Sequence, residues 1–326
     1  MKHWTPDELK VLRGLRERFL TGTAGHADYW RSAAELELYD RSFGERIGWK
    51  WDAVLRELTL RGWSPRSRRV LDWGCGSGVA GRRVLDWIPE VETLALHDRS
   101  PLAMRFATEK ARALFPRITA TRMEGIQPGT LLLLSHVISE LAARDLDSVC
   151  ELALQAQEII WVEAGTHADS RRLSEVRDRL LPAGFHAIAP CTHQARCGML
   201  APKNARHWCH HFGAPPPDAF QNARWAEFGK ELGIDLRSLP YSFLVLSREP
   251  AQIPPEFSRI IGVPRDATGY SKVLSCHESG VNDLLLQKRD APDLLREVRK
   301  GPELPLYHWK LDAGKITGAE PFPPRE

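Results

Sequence analysis

The sequence has no apolar run of the roughly 18 to 20 residues that span a bilayer. Its first residues form neither a signal-peptide core nor an arginine-rich, acid-poor transit segment. We therefore expect a cytoplasmic protein with no membrane partner. The formal charge of +3 over 326 residues is too small to predict a nucleic-acid binder from charge alone.

Cysteine is scarce as well. Six cysteines are too few for a disulfide scaffold in a chain of this length, and four of them lie after residue 190. This bunching suits a reducing compartment in which thiolates hold a metal. The remaining composition, 43% apolar and 27% charged residues, is ordinary for a globular protein and excludes disordered and collagen-like classes.

The N-terminal segment, residues 1–65, reads as a mostly helical cap. Thr5, Pro6 and Glu8 form a capping box with proline at the first helical position, and apolar residues follow at helical spacing. From residue 66, short apolar strands alternate with helical stretches, which is typical of a parallel sheet with helices on both faces. The predicted strands are 70–73, 93–97, 130–134, 159–163, 185–189 and 241–247.

The predicted core comprises residues 66–190 and 241–248, interrupted by a cysteine-rich insertion at 191–240. A proline-rich stretch at 249–255 marks the start of a C-terminal extension, 249–326. Within this extension we expect a pair of short strands, at 272–275 and 283–286. The last residues, 321–326, read as a frayed tail.

A glycine-rich turn follows the first predicted strand. Asp72 closes that strand, and Gly74, Gly76 and Gly78 follow at every second position, a spacing that differs from the dinucleotide fingerprint. Glycines allow the backbone to approach a ligand at the carboxyl edge of a parallel sheet. Asp98 ends the second strand, where a carboxylate can accept hydrogen bonds from both hydroxyls of a ribose.

Residues 68–248 thus resemble the class I S-adenosylmethionine-dependent methyltransferases, with the turn as their first motif and Asp98 as their second. The resemblance implies an α/β fold with a Rossmann-like sheet. It also implies that S-adenosylmethionine is bound by Asp72, Gly74, Gly76, Gly78 and Asp98.

The acceptor site is less defined. After the fourth strand, many enzymes that methylate nucleic-acid amines carry Asp or Asn, two prolines and an aromatic, but residues 135–141 read Ser-His-Val-Ile-Ser-Glu-Leu. His136 and Glu140 are candidates for orienting a substrate or accepting a proton, with burial or helix capping as the alternative. Glu163, at the end of the next strand, either lines the site or only ends the strand.

The second chemical signal is a set of four cysteines, Cys191, Cys197, Cys209 and Cys276. Four thiolates satisfy both tetrahedral zinc and a four-iron cluster, so their number does not separate the two. The absence of C-x2-C knuckles weakens a zinc-ribbon interpretation. Two alternatives remain open: separate buried thiols, and a mixed site using the histidines nearby. Those histidines are His193, His207, His210 and His211.

The residues around these cysteines resemble the Rsm-type mitochondrial small-ribosomal-subunit methyltransferase-like family and its bacterial relatives, over about residues 30–290. The matching stretches are residues 189–193, 208–212, 241–246 and 259–261, with 135–141 and 162–166 also fitting. The chain departs from the family at Thr192, where proline is usual, and at residues 307–310, which stand in place of a basic aromatic signature.

This resemblance implies a factor that acts on small-subunit ribosomal RNA or its assembling particle, with the four cysteines holding a [4Fe-4S] cluster. We expect the protein to be a monomer. Without a transit segment, we expect a bacterial cytoplasmic member. Two alternatives remain open. One is a non-catalytic assembly or RNA-binding factor that keeps the methyltransferase fold, and the other is a small-molecule methyltransferase with structural zinc.

Overall fold

The computed structural model describes residues 3–21, 30–123, 125–250 and 253–323. The chain divides into two compact units. The first contains Met1–Leu55, Pro65–Val162 and Gly213–Leu239, and the second contains Arg56–Ser64, Glu163–Phe212 and Pro240–Glu326. The four-part division drawn from the sequence stays a prediction.

The helices are mostly amphipathic. In chain order they are α1 Pro6–Leu20, α2 Ala33–Tyr39, α3 Glu45–Leu60, α4 Val79–Trp87, α5 Pro101–Leu114, α6 Ala143–Ala153, α7 His167–Leu180, α8 Pro217–Gln221, α9 Ala223–Leu232 and α10 Pro292–Lys300. A π-helical turn, Asp40–Gly44, joins α2 to α3. Within the described ranges, none of the helices combines the length and apolar character that crossing a membrane requires.

The first unit is built on parallel strands: β1 Arg69–Trp73, β2 Thr93–His97, β3 Thr119–Arg122, β4 Thr130–Ser135 and β5 Glu158–Ala164. They pair in the order β3-β2-β1-β4-β5. The near-continuous apolar runs of β4 and β5 are buried, as expected for strands covered on both faces. Because these strands are parallel, the carboxyl ends of β1, β2 and β4 lie at the same edge of the sheet.

Helices α1, α2, α5 and α9 contribute to one hydrophobic cluster of the first unit, in which Leu12, Leu15 and Leu36 are fully buried. The capping box is confirmed, because the Thr5 side chain accepts from Glu8 N and the Glu8 side chain accepts from Thr5 N. The Trp4 indole donates to Arg224 O at 2.8 Å. Residues 213–239, predicted as part of the insertion, therefore pack with the N-terminal helices.

The second unit contains β6 His186–Ala189, β7 His211–Gly213 and β8 Leu239–Ser247, with β8 antiparallel to β6 and paired to β7. Its other strands form a second sheet in the order β10-β11-β12-β14-β13-β9. These strands are β9 Ser258–Ile260, β10 Arg265–Ala267, β11 Tyr270–His277, β12 Gly280–Gln287, β13 Leu306–Asp312 and β14 Lys315–Pro321.

All six strands predicted for the core are present, but β3 and β7 escaped prediction because they are short and β3 is polar. The two strands predicted in the C-terminal extension are confirmed within β11 and β12. Four further strands and α10 were not predicted, and together these elements enclose a core of their own. The prediction that residues 321–326 form a frayed tail was wrong for Pro321 and Phe322. Pro321 ends β14, and Phe322 packs against Phe257 with ring centroids 5.2 Å apart. Residues 324–326 lie outside the described residues.

A buried ion cluster joins two segments of the second unit, the end of α3 and β9. Glu57 is 5% exposed, its Oε1 accepts from Arg61 Nε at 2.8 Å, and its Oε2 accepts from Arg259 Nη2 at 2.8 Å. Burial would raise the pKa of Glu57, but Arg259 and Arg61 together lower it. The carboxylate therefore stays ionised and is the counterion of two buried guanidinium groups.

We predict that Glu57→Gln destabilises the protein by about 3–5 kcal/mol, because it leaves two buried cations without a counterion. Urea unfolding measures the change. The matched control is Glu303→Gln, since Glu303 pairs with Arg56 where both side chains are 65% exposed. That change should cost at most about 1 kcal/mol. Equal effects of the two substitutions on the free energy of unfolding would contradict the role of Glu57 as the counterion of two buried arginines.

Candidate cofactor and cysteine sites

The glycine turn, residues 74–78, begins directly after β1 and ends at α4. Gly74, Gly76 and Gly78 all have positive φ angles of 71°, 50° and 78°. The amides of Gly74 and Cys75 both donate to His97 O, at 2.8 and 2.9 Å. The end of β2 therefore holds the first half of the turn in place.

The glycines of the turn serve different purposes. A Cβ on Gly74 would lie 2.5 Å from Val137 Cγ1, so this glycine permits close packing against the segment after β4. A Cβ on Gly76 would meet no heavy atom of the described chain within 4 Å. Gly76 therefore faces open space, where a ligand can approach the backbone closely.

Asp98 connects the turn to the start of α5. Its Oδ2 accepts from Gly76 N at 2.8 Å and its Oδ1 accepts from Ser100 N at 2.8 Å. Burial raises the pKa of Asp98, against the effect of these two amides. Each carboxylate oxygen keeps a further lone pair, so the side chain is able to accept hydrogen bonds from ribose hydroxyls as well.

Asp72 is fully buried at the end of β1. Its Oδ2 accepts from Gly81 N at 2.9 Å, which ties β1 to the first turn of α4. Its Oδ1 has no hydrogen-bond partner in the described part of the chain. Burial raises the pKa of Asp72 to about 7, despite the Gly81 amide. Asp72 therefore orients the helix that follows the glycine turn.

His136 stands immediately after β4 with a left-handed backbone, φ 56°, which is costly for a residue other than glycine. Its amide donates to Val162 O at 2.9 Å, and its Nε2 lies 3.4 Å from Lys50 Nζ. Burial, Lys50 and Arg46 together hold the pKa of His136 well below its usual value. The imidazole is therefore neutral at neutral pH.

The other two acidic candidates differ in position. Glu140 lies in the 3-10 turn Ile138–Glu140, 3.4 Å from Arg99 Nη2. Burial raises the pKa of Glu140 to about 7, with Asp98 adding to the effect. Glu163 belongs to the second unit and is buried within β5. The structure thus brings His136 and Glu140 to the edge that carries the glycine turn.

Sequence reasoning missed the contribution of α3 to this edge. Lys50 lies beside His136, and the Trp51 indole donates to Ser135 Oγ at 2.9 Å. The only signal in the sequence was a pair of cations, Arg46 and Lys50, at the i, i+4 spacing of one helix face.

In the second unit, one cavity of about 450 Å³, including the part open to solvent, is lined by all four cysteines of the predicted set. Cys191 follows β6, Cys197 precedes the 3-10 turn Gly198–Leu200, Cys209 precedes β7 and Cys276 lies in β11. All four are free thiols. Residues separated by up to 85 positions therefore face one space.

The cavity has an apolar lining and one cation. Burial raises the pKa values of Cys197, Cys209 and Cys276, and the neighbouring cysteines raise them further. Arg177 is buried beside them, with its Nε 3.1 Å from Cys191 Sγ. Burial would lower the pKa of Arg177, but Cys191 and Cys197 raise it overall. Arg177 is thus placed to compensate negative charge on the sulfurs.

The donors do not converge on a single ion. No group of three His, Cys, Asp or Glu residues in the described ranges has the arrangement to hold one. His193 Nε2 lies 3.6 Å from Cys276 Sγ and His211 Nε2 lies 3.7 Å from Cys209 Sγ. His211 also contacts Arg259, and His210 bonds Trp208 O. A mononuclear zinc site, which needs sulfurs about 2.3 Å from one ion, is not formed by these donors.

The parallel sheet, the glycine turn after β1 and the acid after β2 define an α/β protein with a Rossmann-like sheet. The chain belongs to the Rsm22 family, whose model is described as mitochondrial small ribosomal subunit Rsm22 and matches residues 51–301. A search of curated protein sequences finds no match.

Several solved structures that match the chain are methyltransferases, among them BamL and ChlM. The plantazolicin methyltransferase BamL is 10% identical with a TM-score of 0.41, and the match covers 74% of this chain and 99% of that one. The magnesium protoporphyrin IX methyltransferase ChlM from Synechocystis PCC 6803 is 14% identical with a TM-score of 0.39. That match covers 74% of this chain and 100% of that one.

We predict that Lys50→Met raises the pKa of His136, because it removes one of the two cations that oppose protonation. The pKa should stay below the usual value, since burial persists. NMR titration of the imidazole measures it, with Lys10→Met, an exposed change on α1, as the control. An identical His136 pKa in both variants would show that Lys50 exerts no field on the ring.

Proposed function

We propose that the first unit binds S-adenosylmethionine at the glycine turn. The observation that carries this proposal is the arrangement around Gly76, whose amide donates to Asp98 while its α-carbon faces open space. In this assignment Asp98 accepts from the ribose hydroxyls, and the backbone from Gly74 to Gly78 lies along the amino-acid portion of the cofactor. Asp72 fixes α4 behind the turn.

The proposed activity is methyl transfer to RNA of the small ribosomal subunit. S-adenosylmethionine supplies a methyl group that is already activated by its sulfonium. The chain therefore has to align the acceptor, exclude water and receive any proton that the acceptor loses. His136, held neutral at the sheet edge by burial, Lys50 and Arg46, would orient the acceptor. The family's description as a small-ribosomal-subunit protein supports the choice of acceptor.

A non-catalytic assembly factor is the second candidate, because residues 135–141 lack the proline-containing motif that grips a planar amine. Such a factor would bind the cofactor and the small subunit without transferring the methyl group. Measuring transfer separately from cofactor binding distinguishes the two functions.

We further propose that the second unit holds a [4Fe-4S] cluster through Cys191, Cys197, Cys209 and Cys276. The support is chemical: four thiols line one cavity with an apolar wall, and Arg177 beside Cys191 offsets thiolate charge. A cubane cluster binds four thiolates that are spread around it, whereas a single zinc ion draws them together. Three of the ligands would precede β8 and the fourth would come from β11, so the cluster would fasten these segments.

For the first unit, Asp98→Ala should weaken S-adenosylmethionine binding by about 1–3 kcal/mol through lost hydrogen bonds to a charged group. Isothermal titration calorimetry measures this, and Glu92→Ala, at the opposite end of β2, is the control. Wild-type protein should also transfer a tritiated methyl group to RNA in bacterial small subunits, and Asp98→Ala should transfer less. An unchanged affinity of Asp98→Ala for S-adenosylmethionine would contradict the cofactor assignment. Cofactor binding by the wild-type protein without methyl transfer would favour the assembly factor.

For the second unit, protein purified without oxygen should contain iron and acid-labile sulfide and absorb visible light through thiolate-to-iron charge transfer. Cys276→Ser should bleach this absorption, because it removes one of the four thiolates that would bind the cluster. Cys150→Ser is the matched control, since Cys150 is buried in α6 of the first unit. Colourless wild-type protein with stoichiometric zinc would overturn the cluster assignment.

A further inference from the structure

A row of four aromatic rings lies in the second unit, formed by His167, Trp208, His210 and Phe212. Successive ring centroids along this aromatic row are 5.5, 4.6 and 5.4 Å apart. Trp208 and His210 stack with 25° between their planes. Phe212, at one end, is 43% exposed, and His167, at the other end, is exposed as well. Both ends of the aromatic row are therefore open to solvent.

Neighbouring residues hold the two central rings in place. The Trp208 indole donates to Gly165 O at 2.9 Å, and His210 Nδ1 lies 3.0 Å from Trp208 O. The Gly262 amide donates to His210 O at 3.0 Å. A Cβ on Gly262 would lie 2.8 Å from His210 Nε2, so this glycine lets the imidazole pack directly against the backbone. The orientation of these rings is thus set by the protein itself.

The residues between these rings face the other way. Cys209 lines the cysteine cavity, and His211 is buried with its Nε2 3.7 Å from Cys209 Sγ. Side chains of an extended segment alternate between two sides. Residues 208–212 therefore present the cysteine on one side and the aromatic row on the other. Packing around the cavity does not account for the aromatic row.

The chain around the aromatic row is positively charged. Residues 179–217 contain no aspartate or glutamate. Lys203 and Arg206 lie in this stretch, are exposed, and form no ion pair with any residue that the structure describes. The nearby acid Asp283 is paired with Arg265. The two cations are therefore available to an anionic partner.

A third cation, Arg171 of α7, supports the same segment. Its Nη1 donates to Met199 O at 3.0 Å and to His207 O at 3.1 Å. It has no carboxylate partner in the described part of the chain, so it adds to the positive charge there. His167 Nε2 lies 2.8 Å from Ala205 O. This contact brings the turn that carries the two exposed cations to one end of the aromatic row.

Single-stranded nucleic acid matches both features, because unpaired bases stack on aromatic rings while phosphates bind lysine and arginine. We propose that the aromatic row stacks unpaired bases of RNA and that Lys203 and Arg206 bind the neighbouring phosphates. The inference goes beyond the proposed methyl transfer, since this surface lies in the second unit. It takes from the proposed function only that the nucleic acid is RNA.

The test is binding of a fluorescein-labelled single-stranded RNA oligonucleotide to the full chain, measured by anisotropy across a salt series. Phe212→Leu keeps an apolar side chain but removes the ring, so it should weaken binding about tenfold without changing the salt slope. Phe212→Tyr keeps the ring and should bind as wild type does. Arg206→Gln should weaken binding and lower the salt slope by about one.

Matched controls are exposed changes in the first unit. Phe220→Leu, on α8, and Arg105→Gln, on α5, should leave both the affinity and the salt slope unchanged. Phe212→Leu and Arg206→Gln should keep the wild-type unfolding temperature, because the replaced side chains are exposed. The same RNA annealed into a duplex should bind more weakly, because its bases are no longer free to stack.

The outcomes separate this surface from the methyltransferase assignment. Weakened RNA binding in Phe212→Leu supports the stacking surface even if the wild-type protein transfers no methyl group, in which case only the proposed activity fails. Wild-type affinity in Phe212→Leu, or equal affinity for single-stranded and duplex RNA, would overturn the stacking surface. A wild-type protein that binds no single-stranded RNA would also overturn it and would leave the aromatic row to a protein partner.

Discussion

The attachment of the glycine turn to the end of β2 is the constraint on which the first unit depends. Three consecutive amides of the turn are held by two neighbouring residues, His97 through its carbonyl and Asp98 through its carboxylate. These bonds keep Gly76 in a left-handed conformation with an open face. Without them the turn would lose the conformation that leaves the backbone of Gly76 open to its surroundings.

The second unit depends on a comparable constraint, the buried Arg61. Its guanidinium donates to Ile188 O, Pro190 O and Cys191 O at 2.9, 2.7 and 3.2 Å, and Glu57 compensates its charge. The backbone that leads into Cys191 is thereby fixed. Arg177 acts from the other side, through Cys191 Sγ and His193 O. The cysteine cavity is thus preorganised by buried cations.

The sequence was sufficient to predict those helices and strands that are marked by a few adjacent residues. The apolar runs of β1, β2 and β4 and the proline-started α5 were predicted because burial and capping leave their mark on a few adjacent residues. The strand β3 was missed because only one of its four residues is buried. Four strands of the C-terminal sheet were missed. Two of them, β9 and β10, have only three residues each, and most residues of β13 are exposed.

The site divides in the same way. The spacing of Gly74, Gly76 and Gly78 identified the turn, but only the packing shows that Gly74 accommodates Val137 while Gly76 faces open space. Arg46 and Lys50 could not be singled out from the sequence, because two cations on a helix usually mark a solvated face. Their effect on the pKa of His136 depends on β4, which places the imidazole Nε2 3.4 Å from Lys50 Nζ. Long-range placement of this kind is set by tertiary packing.

A crystal structure of the protein with S-adenosylhomocysteine bound tests the proposed cofactor site directly. The ribose hydroxyls should lie within hydrogen-bond distance of Asp98, and the ligand backbone should pass over Gly76. A ligand bound elsewhere, or a turn that stays empty at saturating ligand, would contradict the assignment of residues 74–78 as the cofactor site.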